Sequence, residues 1–274
     1  MSTEQHREIK RLAVDKALHW STSTGDHGSL IGKFRAEVKN HYYLWQRRRC
    51  CYCSVELQNH KITFDAEHIL DKAEYPEYMF DEGNLAVACK LCNQYKSNKS
   101  ISSTGLRFSE LSKKSHDYSI VHPHLDEWSE HLQFDVIGRI VPVAESTKGK
   151  TTVSICGMAS LNATRLADQF AIEETAEAET ALRVFHEVVD IGRKREFLSL
   201  LEEMAQRYGH PGARAVVEAL RSDVQHLQLA QPSAPAVAML PAGNEPHANG
   251  HEPPQYEFQS QLLGPNEPPL ASSA

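Results

Sequence analysis

Two cysteine pairs of identical spacing carry the first chemical signal in the chain. Cys50-Cys51-Tyr52-Cys53 and Cys89-Lys90-Leu91-Cys92 each hold two thiols two residues apart. A tight turn aims both sulfurs of such a pair at one ion, and two turns complete a tetrahedron, so Cys50, Cys53, Cys89 and Cys92 form a structural zinc set. Cys51 falls outside the CxxC spacing and is read as a bystander. A four-thiolate site has no open position, so this zinc braces the chain and does not react. Any chemistry needs a second set of residues. Between the pairs lie Glu67-His68, Asn84 and, directly after the last cysteine, Asn93 with Lys96 one helical turn beyond. An imidazole titrates near neutral pH and can take a proton from water, which makes His68 a candidate general base. Glu67 and Asn93 offer hard oxygen atoms suited to Mg²⁺ or Mn²⁺. Asp65 is a fallback ligand, and Lys96 can reach a phosphate. Together these parts suit phosphodiester hydrolysis: an activated water, a charge-stabilising cation and help for the leaving oxygen.

The elements that must position these residues follow from pattern and punctuation. Residues 61–66 read as a strand leading into Glu67-His68, 70–83 as a loop, 84–88 as a short strand, and 89–100 as a helix. Upstream, 4–19 reads as a short amphipathic helix, and about 29–46 as a second, with Leu30, Phe34, Val38 and Tyr42 on one face. Arg47-Arg48-Arg49 leads into the first cysteine pair, either as a phosphate contact or as a solvated edge. Downstream, 120–126, 132–143 and 151–155 read as strands, with turns at Gly138 and 147–149. Residues 161–170 resume a helix, and 173–229 are helical, with breaks at Gly192 and 209–212. There Leu182, Phe185 and Val189 share one face, Leu198, Leu201 and Met204 another, and Val217, Leu220, Val224 and Leu227 a bundle-like seam. Residues 230–274, rich in Pro, Ala, Gly and Asn, read as a disordered tail. His122, His124, Asp126 and His131 form a second polar cluster, read as structural or surface residues.

Composition constrains the class. The 274 residues are 41% hydrophobic and 24% charged, as in ordinary globular proteins. No apolar run is long enough for a membrane span and the first residues lack a signal core, so a cytoplasmic protein is expected, where CxxC pairs favour metal over disulfides. The net charge is −7, yet residues 31–115 hold 14 Lys/Arg against 10 Asp/Glu, leaving −11 on the remainder. The candidate catalytic segment is therefore locally basic, as a phosphate-binding module requires.

The order Glu67-His68, Asn84-Leu85, Cys89-x-x-Cys92-Asn93-x-x-Lys96 resembles the HNH endonuclease family of zinc-braced ββα-metal nucleases. The resemblance covers about 50 residues. It implies His68 as general base, Glu67 and Asn93 as ligands of the catalytic divalent ion, Asn84 as the brace of the intervening loop, and Lys96 at the phosphate. Many members have Asp before the first His and a Pro shortly after it, where this chain has Glu67 and Asp71. A looser resemblance reaches further. Lys72, HPHLDEWSEHLQFDVIGRI, TVSICGMASLN and Arg165 are similar to HNH subunits of bacterial anti-phage systems such as Septu, which work beside an ATPase.

The expected architecture is α+β. N-terminal helices occupy 1–46, the HNH module with structural zinc 47–115, a β-containing extension 116–172, a helical partner or oligomerisation region 173–229, and the tail 230–274. The expected activity is metal-dependent cleavage of nucleic acid, DNA foremost. The alternatives are an RNA-cleaving effector or a catalytically silent, zinc-structured subunit that binds nucleic acid or a partner.

Overall fold

Apolar residues spaced three and four apart organise the N-terminal third around one helix. In the computed structural model, which describes residues 2–14, 19–58 and 63–230, helix α2 (Gly25–Trp45) buries Ile31, Phe34, Val38 and Tyr42 on a single face. That face packs on the antiparallel pair β1 (Phe64–His68) and β2 (Leu85–Cys89) and meets α1 (Thr3–Val14). The register opposes Phe64 to Cys89 and His68 to Leu85. Chain alternation then puts Asp65 and Glu67 on one side of β1 and Ala66 and His68 on the other. Helix α3 (Lys90–Lys96) follows β2 directly and covers the strands, completing a ββα unit. The strand expected at 61–66 begins at Phe64; residues 61 and 62, and 15–18 of the first helix, lie outside the described residues.

The extension departs from the sequence reading in two places. Residues 120–126 form turns. Asp126 Oδ2 accepts from the His122 amide at 2.7 Å, and the His122 carbonyl accepts from the amides of Leu125 and Asp126. These local bonds, with Pro123 lacking a donor, leave no ladder to join. Residues 151–155 belong to helix α5 (Thr147–Ile155), and 147–149 form its first turn, capped by Ser146 Oγ on the Gly149 amide. The β-branched run suggested a strand. Instead the hydroxyls of Thr151 and Thr152 bond back to the carbonyls four residues earlier. A Cβ at Gly149 would lie 2.1 Å from the His131 carbonyl oxygen, so only glycine allows this helix to approach. One-turn α4 (Trp128–His131) leads into the hairpin β3 (Leu132–Phe134) and β4 (Ile140–Pro142), whose turn includes Gly138.

Helices α6 (Met158–Ala167), α7 (Thr175–Glu187), α8 (Ile191–Tyr208) and α9 (Pro211–Ala230) enclose a second core, from Ala163 to Val224, beside the first, which runs from Ile9 to Met158. Leu198, Leu201, Met204, Val217, Leu220 and Val224 are buried as their spacing suggests. Val189 is 90% exposed because α7 ends at Glu187, and Leu227 is also exposed. The break falls just before Asp190, which caps α8 through the Arg193 amide, so Gly192 lies inside that helix. The two-sheet, mostly helical arrangement is α+β. No helix among the described residues is long and apolar enough to cross a membrane. The expected tail lies outside the described residues beyond Ala230.

The extension is fastened to the ββα unit at several points. Trp128 Nε1 donates to the Tyr52 carbonyl at 2.7 Å, and the His124 ring nitrogen Nε2 meets the Leu85 carbonyl at 2.7 Å. The Tyr95 and Ser160 hydroxyls pair at 2.7 Å. A Cβ at Gly157, which sits at φ +61°, would meet the Tyr95 ring at 2.2 Å. Glycine is thus required there twice over, by conformation and by contact.

Candidate functional site

The first CxxC turn is built by backbone. After α2, Arg47 and Arg48 adopt left-handed φ of 52° and 61°, which turns the chain sharply. Gln46 then lies along β2, donating Nε2 to the Val87 carbonyl and accepting the Val87 amide on Oε1, each at 2.8 Å. This anchors the Cys50–Cys53 turn to the strand that ends in Cys89. The three arginines face solvent, and Arg49 donates to the Ser54 carbonyl.

The sulfurs of Cys50, Cys53, Cys89 and Cys92 all lie within 4.8 Å of one another, and Cys53 Sγ is 3.8 Å from Cys89 Sγ. Tetrahedral zinc with bonds of about 2.3 Å places its sulfurs about 3.8 Å apart. The Cys89 amide donates to Cys50 Sγ at 3.3 Å and the Cys92 amide to Cys89 Sγ at 3.4 Å, as thiolates invite. Burial pushes the Cys50 thiol up, but hydrogen bonds from Cys51, Cys53, Cys89 and Cys92 outweigh it and hold Cys50 well below its ordinary value. Cys53 and Cys92 are driven up by their bonds to Cys50. One thiolate thus forms at its neighbours' expense, and only a dication lets all four deprotonate. The residues fit structural zinc. Cys51 and Cys156 are outside this ligand set, their thiols raised by burial. No other group of three or more His, Cys, Asp or Glu side chains converges among the described residues.

The second centre lies at the end of β1. A cavity of about 320 Å³ is lined by Asp65, Glu67, His68 and Asn93, together with Trp20, Arg35, Lys39, Asp71 and Lys72. His68 is 6% exposed. Its Nε2 lies 3.0 Å from the Met79 carbonyl, which assigns the proton to Nε2 and leaves Nδ1 as an acceptor. The Trp20 ring meets the imidazole edge-on at 4.4 Å between centroids. Burial, then the charge of Lys72, lowers the His68 pKa, and Lys96 adds to this against the Met79 carbonyl; the value falls to about 3. The imidazole is therefore neutral throughout the physiological range.

Asn84 is fully buried between β1 and β2. Its Oδ1 accepts from the Leu70 amide at 2.7 Å, and its Nδ2 donates to the carbonyls of Leu70 and Tyr78. The Ile69 amide also donates to the Asn84 carbonyl. One side chain thus ties both ends of the loop that carries Met79, the partner of His68. Asn84→Ala is expected to cost about 3 kcal/mol, because it strands buried backbone groups worth about 1–3 kcal/mol each. Urea unfolding of the variant measures this; a loss under about 1 kcal/mol would contradict the bracing role.

Glu67 and Lys96 form a buried ion pair, 2.8 Å between Nζ and Oε1, with the Tyr52 hydroxyl donating to the same oxygen at 3.1 Å. Burial raises the Glu67 pKa, opposed by Lys96 and Tyr52. Lys96 Nζ also donates to the His68 carbonyl at 2.9 Å and is only 1% exposed. The phosphate contact expected of Lys96 is thus replaced by an internal one: its ammonium neutralises Glu67 and does not line the cavity. The second oxygen of Glu67, Oε2, accepts from no group among the described residues. Asn93 Nδ2 donates to Asp65 Oδ2 at 3.3 Å, and Asn93 Oδ1 accepts from no group among the described residues. Asp65 also pairs with Lys90 at 2.6 Å. Glu67 Oε2 and Asn93 Oδ1, two hard oxygens on one cavity, fit a divalent cation in donor chemistry. Asp65, considered from sequence as a ligand, orients Asn93. Tyr52, Trp20 and Arg35 escaped the sequence reading, for none has a spacing that ties it to Glu67 or His68.

The His122, His124, Asp126 and His131 group stays together through local bonds, with the His124 amide donating to His122 Nδ1 at 3.2 Å and His131 Nε2 lying 3.8 Å from Asp126 Oδ1. Asp126 pairs with Lys148 at 2.5 Å, and His131 Nδ1 meets Ser146 Oγ at 2.8 Å. His122 is 2% exposed, and its Nε2 has no partner among the described residues. Burial, His124 and Lys148 lower its pKa to about 3 against the opposing pull of Asp126. A depressed histidine supplies stability that is complete above its unfolded value near 6.5 and drains as pH falls toward 3. At pH 5 the loss from His122 is about 2 kcal/mol. Urea unfolding at pH 7.5 and pH 5.0 is expected to show a smaller acid loss in His122→Gln than in wild type; equal losses would contradict it.

No protein-family model matches the chain. It is similar to Septu protein PtuB of Bacillus thuringiensis, 28% identical over 114 residues. The match covers 42% of this chain and 38% of the relative's length.

Proposed function

We propose that this chain is an HNH-type endonuclease that hydrolyses phosphodiester bonds in nucleic acid, DNA foremost, as the nuclease component of an anti-phage defence system. The observation that carries the reading is a buried histidine whose Nε2 is held at 3.0 Å by the Met79 carbonyl, on one cavity with Glu67 and Asn93. His68 Nδ1 accepts the proton of the attacking water. Asn84 fixes the Met79 loop and, through it, the imidazole. Glu67 Oε2 and Asn93 Oδ1 would hold Mg²⁺ or Mn²⁺, which supplies positive charge to the scissile phosphate and leaving oxygen. Lys96 and Tyr52 hold Glu67 in place from behind, and Asp65 does so for Asn93.

The similarity to Septu protein PtuB supports the defence assignment; an ATPase partner is part of the proposal, as the resemblance to HNH subunits of such systems implies. A second reading draws on the 6% exposure of His68 beneath Trp20 and on the paired state of Glu67. In that reading the chain binds nucleic acid or a partner without cutting until the partner assembles on it. Supercoiled plasmid and an RNA transcript at one salt concentration separate the cases, each with Mg²⁺, Mn²⁺ or EDTA, and each with and without a co-purified ATPase. Divalent-dependent nicking of plasmid is the expected result. RNA cleavage alone would redirect the substrate, and no cleavage of either under any condition would overturn the reading.

A further inference from the structure

The burial of Lys96 leaves the phosphate-binding role open, and the cavity holds other cations able to fill it. Two of its carboxylates are already neutralised, Glu67 by Lys96 and Asp65 by Lys90. Asp71 is turned to the amides of Ala73 and Glu74. Against that single remaining anion stand Arg35, Lys39 and Lys72. Arg35 and Lys39 are one turn apart on α2, the same helix whose apolar face packs on β1 and β2, so their reach to the cavity is fixed by the core. Lys39 is held, with Nζ on the Phe64 carbonyl at 2.7 Å and over the Phe64 ring at 4.6 Å. Arg35 and Lys72 form no ion pair with a carboxylate among the described residues, and both are half-buried on the cavity wall.

We propose that Arg35 and Lys72 bind the phosphates on either side of the scissile bond and so position a nucleic-acid backbone across His68. The proposal rests on the nuclease reading for its purpose, but its evidence is the surplus of positive charge on one cavity wall. Arg35 presents a planar fork that matches two phosphate oxygens, whereas Lys72 acts as a point charge.

The test is equilibrium binding of a fluorescein-labelled 20-base-pair DNA duplex by the full, zinc-loaded chain without added divalent ion, followed by anisotropy across a salt series. Each phosphate contact contributes about 0.9 to the slope of log affinity against log salt, or roughly eightfold in affinity at 0.1 M salt. Arg35→Gln and Lys72→Gln are each expected to lower the slope by about 0.9, and the double variant by about 1.8. Arg35→Lys should restore most of the slope, and Lys33→Gln, on the exposed face of α2, should keep all of it. A double variant with the wild-type slope and affinity would overturn the proposal, as would a wild-type protein showing no salt-dependent binding. Cleavage is read separately on plasmid. If the variants lose slope while wild type never cuts, the clamp stands and the nuclease reading falls.

Discussion

Cys92→Ser is expected to empty the zinc site and unfold the ββα unit. Cys92 is fully buried, its sulfur shares the four-thiol cluster, and it stands in the first turn of α3. A structural zinc contributes on the order of 10–16 kcal/mol of folding-coupled binding energy, against a total stability of about 5–15 kcal/mol for a typical domain. Replacing one thiolate leaves three crowded sulfurs with no cation to neutralise them, so the loss exceeds what the short strands can supply. Zinc per chain by elemental analysis should fall from one to near zero, and the melting transition should shift down or vanish in the same sample. Full zinc with an unchanged melting temperature would refute the structural role. Cys51→Ser is the control: its thiol is not part of the ligand set, and zinc content should stay at one.

His68→Ala is expected to reduce cleavage by about 10²- to 10⁴-fold, the range for removing a general base. Among the described residues the imidazole forms one hydrogen bond, to Met79, and one ring contact, to Trp20. Its removal should cost about 1–3 kcal/mol of stability and no zinc, because the four cysteines do not touch it. The variant thus separates from Cys92→Ser by its readouts, since activity is lost while metal content and fold persist.

Much of this site was legible because its parts follow local rules. Paired CxxC turns need only a two-residue spacing, and Asn84 opens a short apolar run that reads as a strand. What escaped the sequence depends on which surfaces meet. Lys96, one turn beyond Asn93, was placed on the right helix but turned inward, because the buried Glu67 carboxylate needs its charge. Asp65 and Glu67 lie two residues apart on one strand face, and their division of labour is tertiary: Asp65, the fallback ligand, orients Asn93, while Glu67 is held by Lys96 and Tyr52 through one oxygen. Arg35 lies 33 residues before His68 in the chain, and no pattern links the two. In the fold, the Thr-rich segment of α5 read as strand, since β-branched residues favour extended backbone. The Thr hydroxyls, the Ser146 cap and the close His131 contact decide for helix, and that contact is tertiary. Residues 120–126 failed similarly, with Asp126 bonding its own chain where a ladder was expected.

If His68 takes the proton from water, added imidazole should stand in for it when the side chain is removed. Supercoiled plasmid is incubated at pH 7.5 with Mg²⁺ or Mn²⁺ and either wild type or His68→Ala, with and without added imidazole, after zinc content and melting temperature are matched. Wild type is expected to nick the plasmid, His68→Ala to lose about 10²-fold or more, and imidazole to restore part of the loss. Cleavage by His68→Ala at the wild-type rate would contradict His68 as the base.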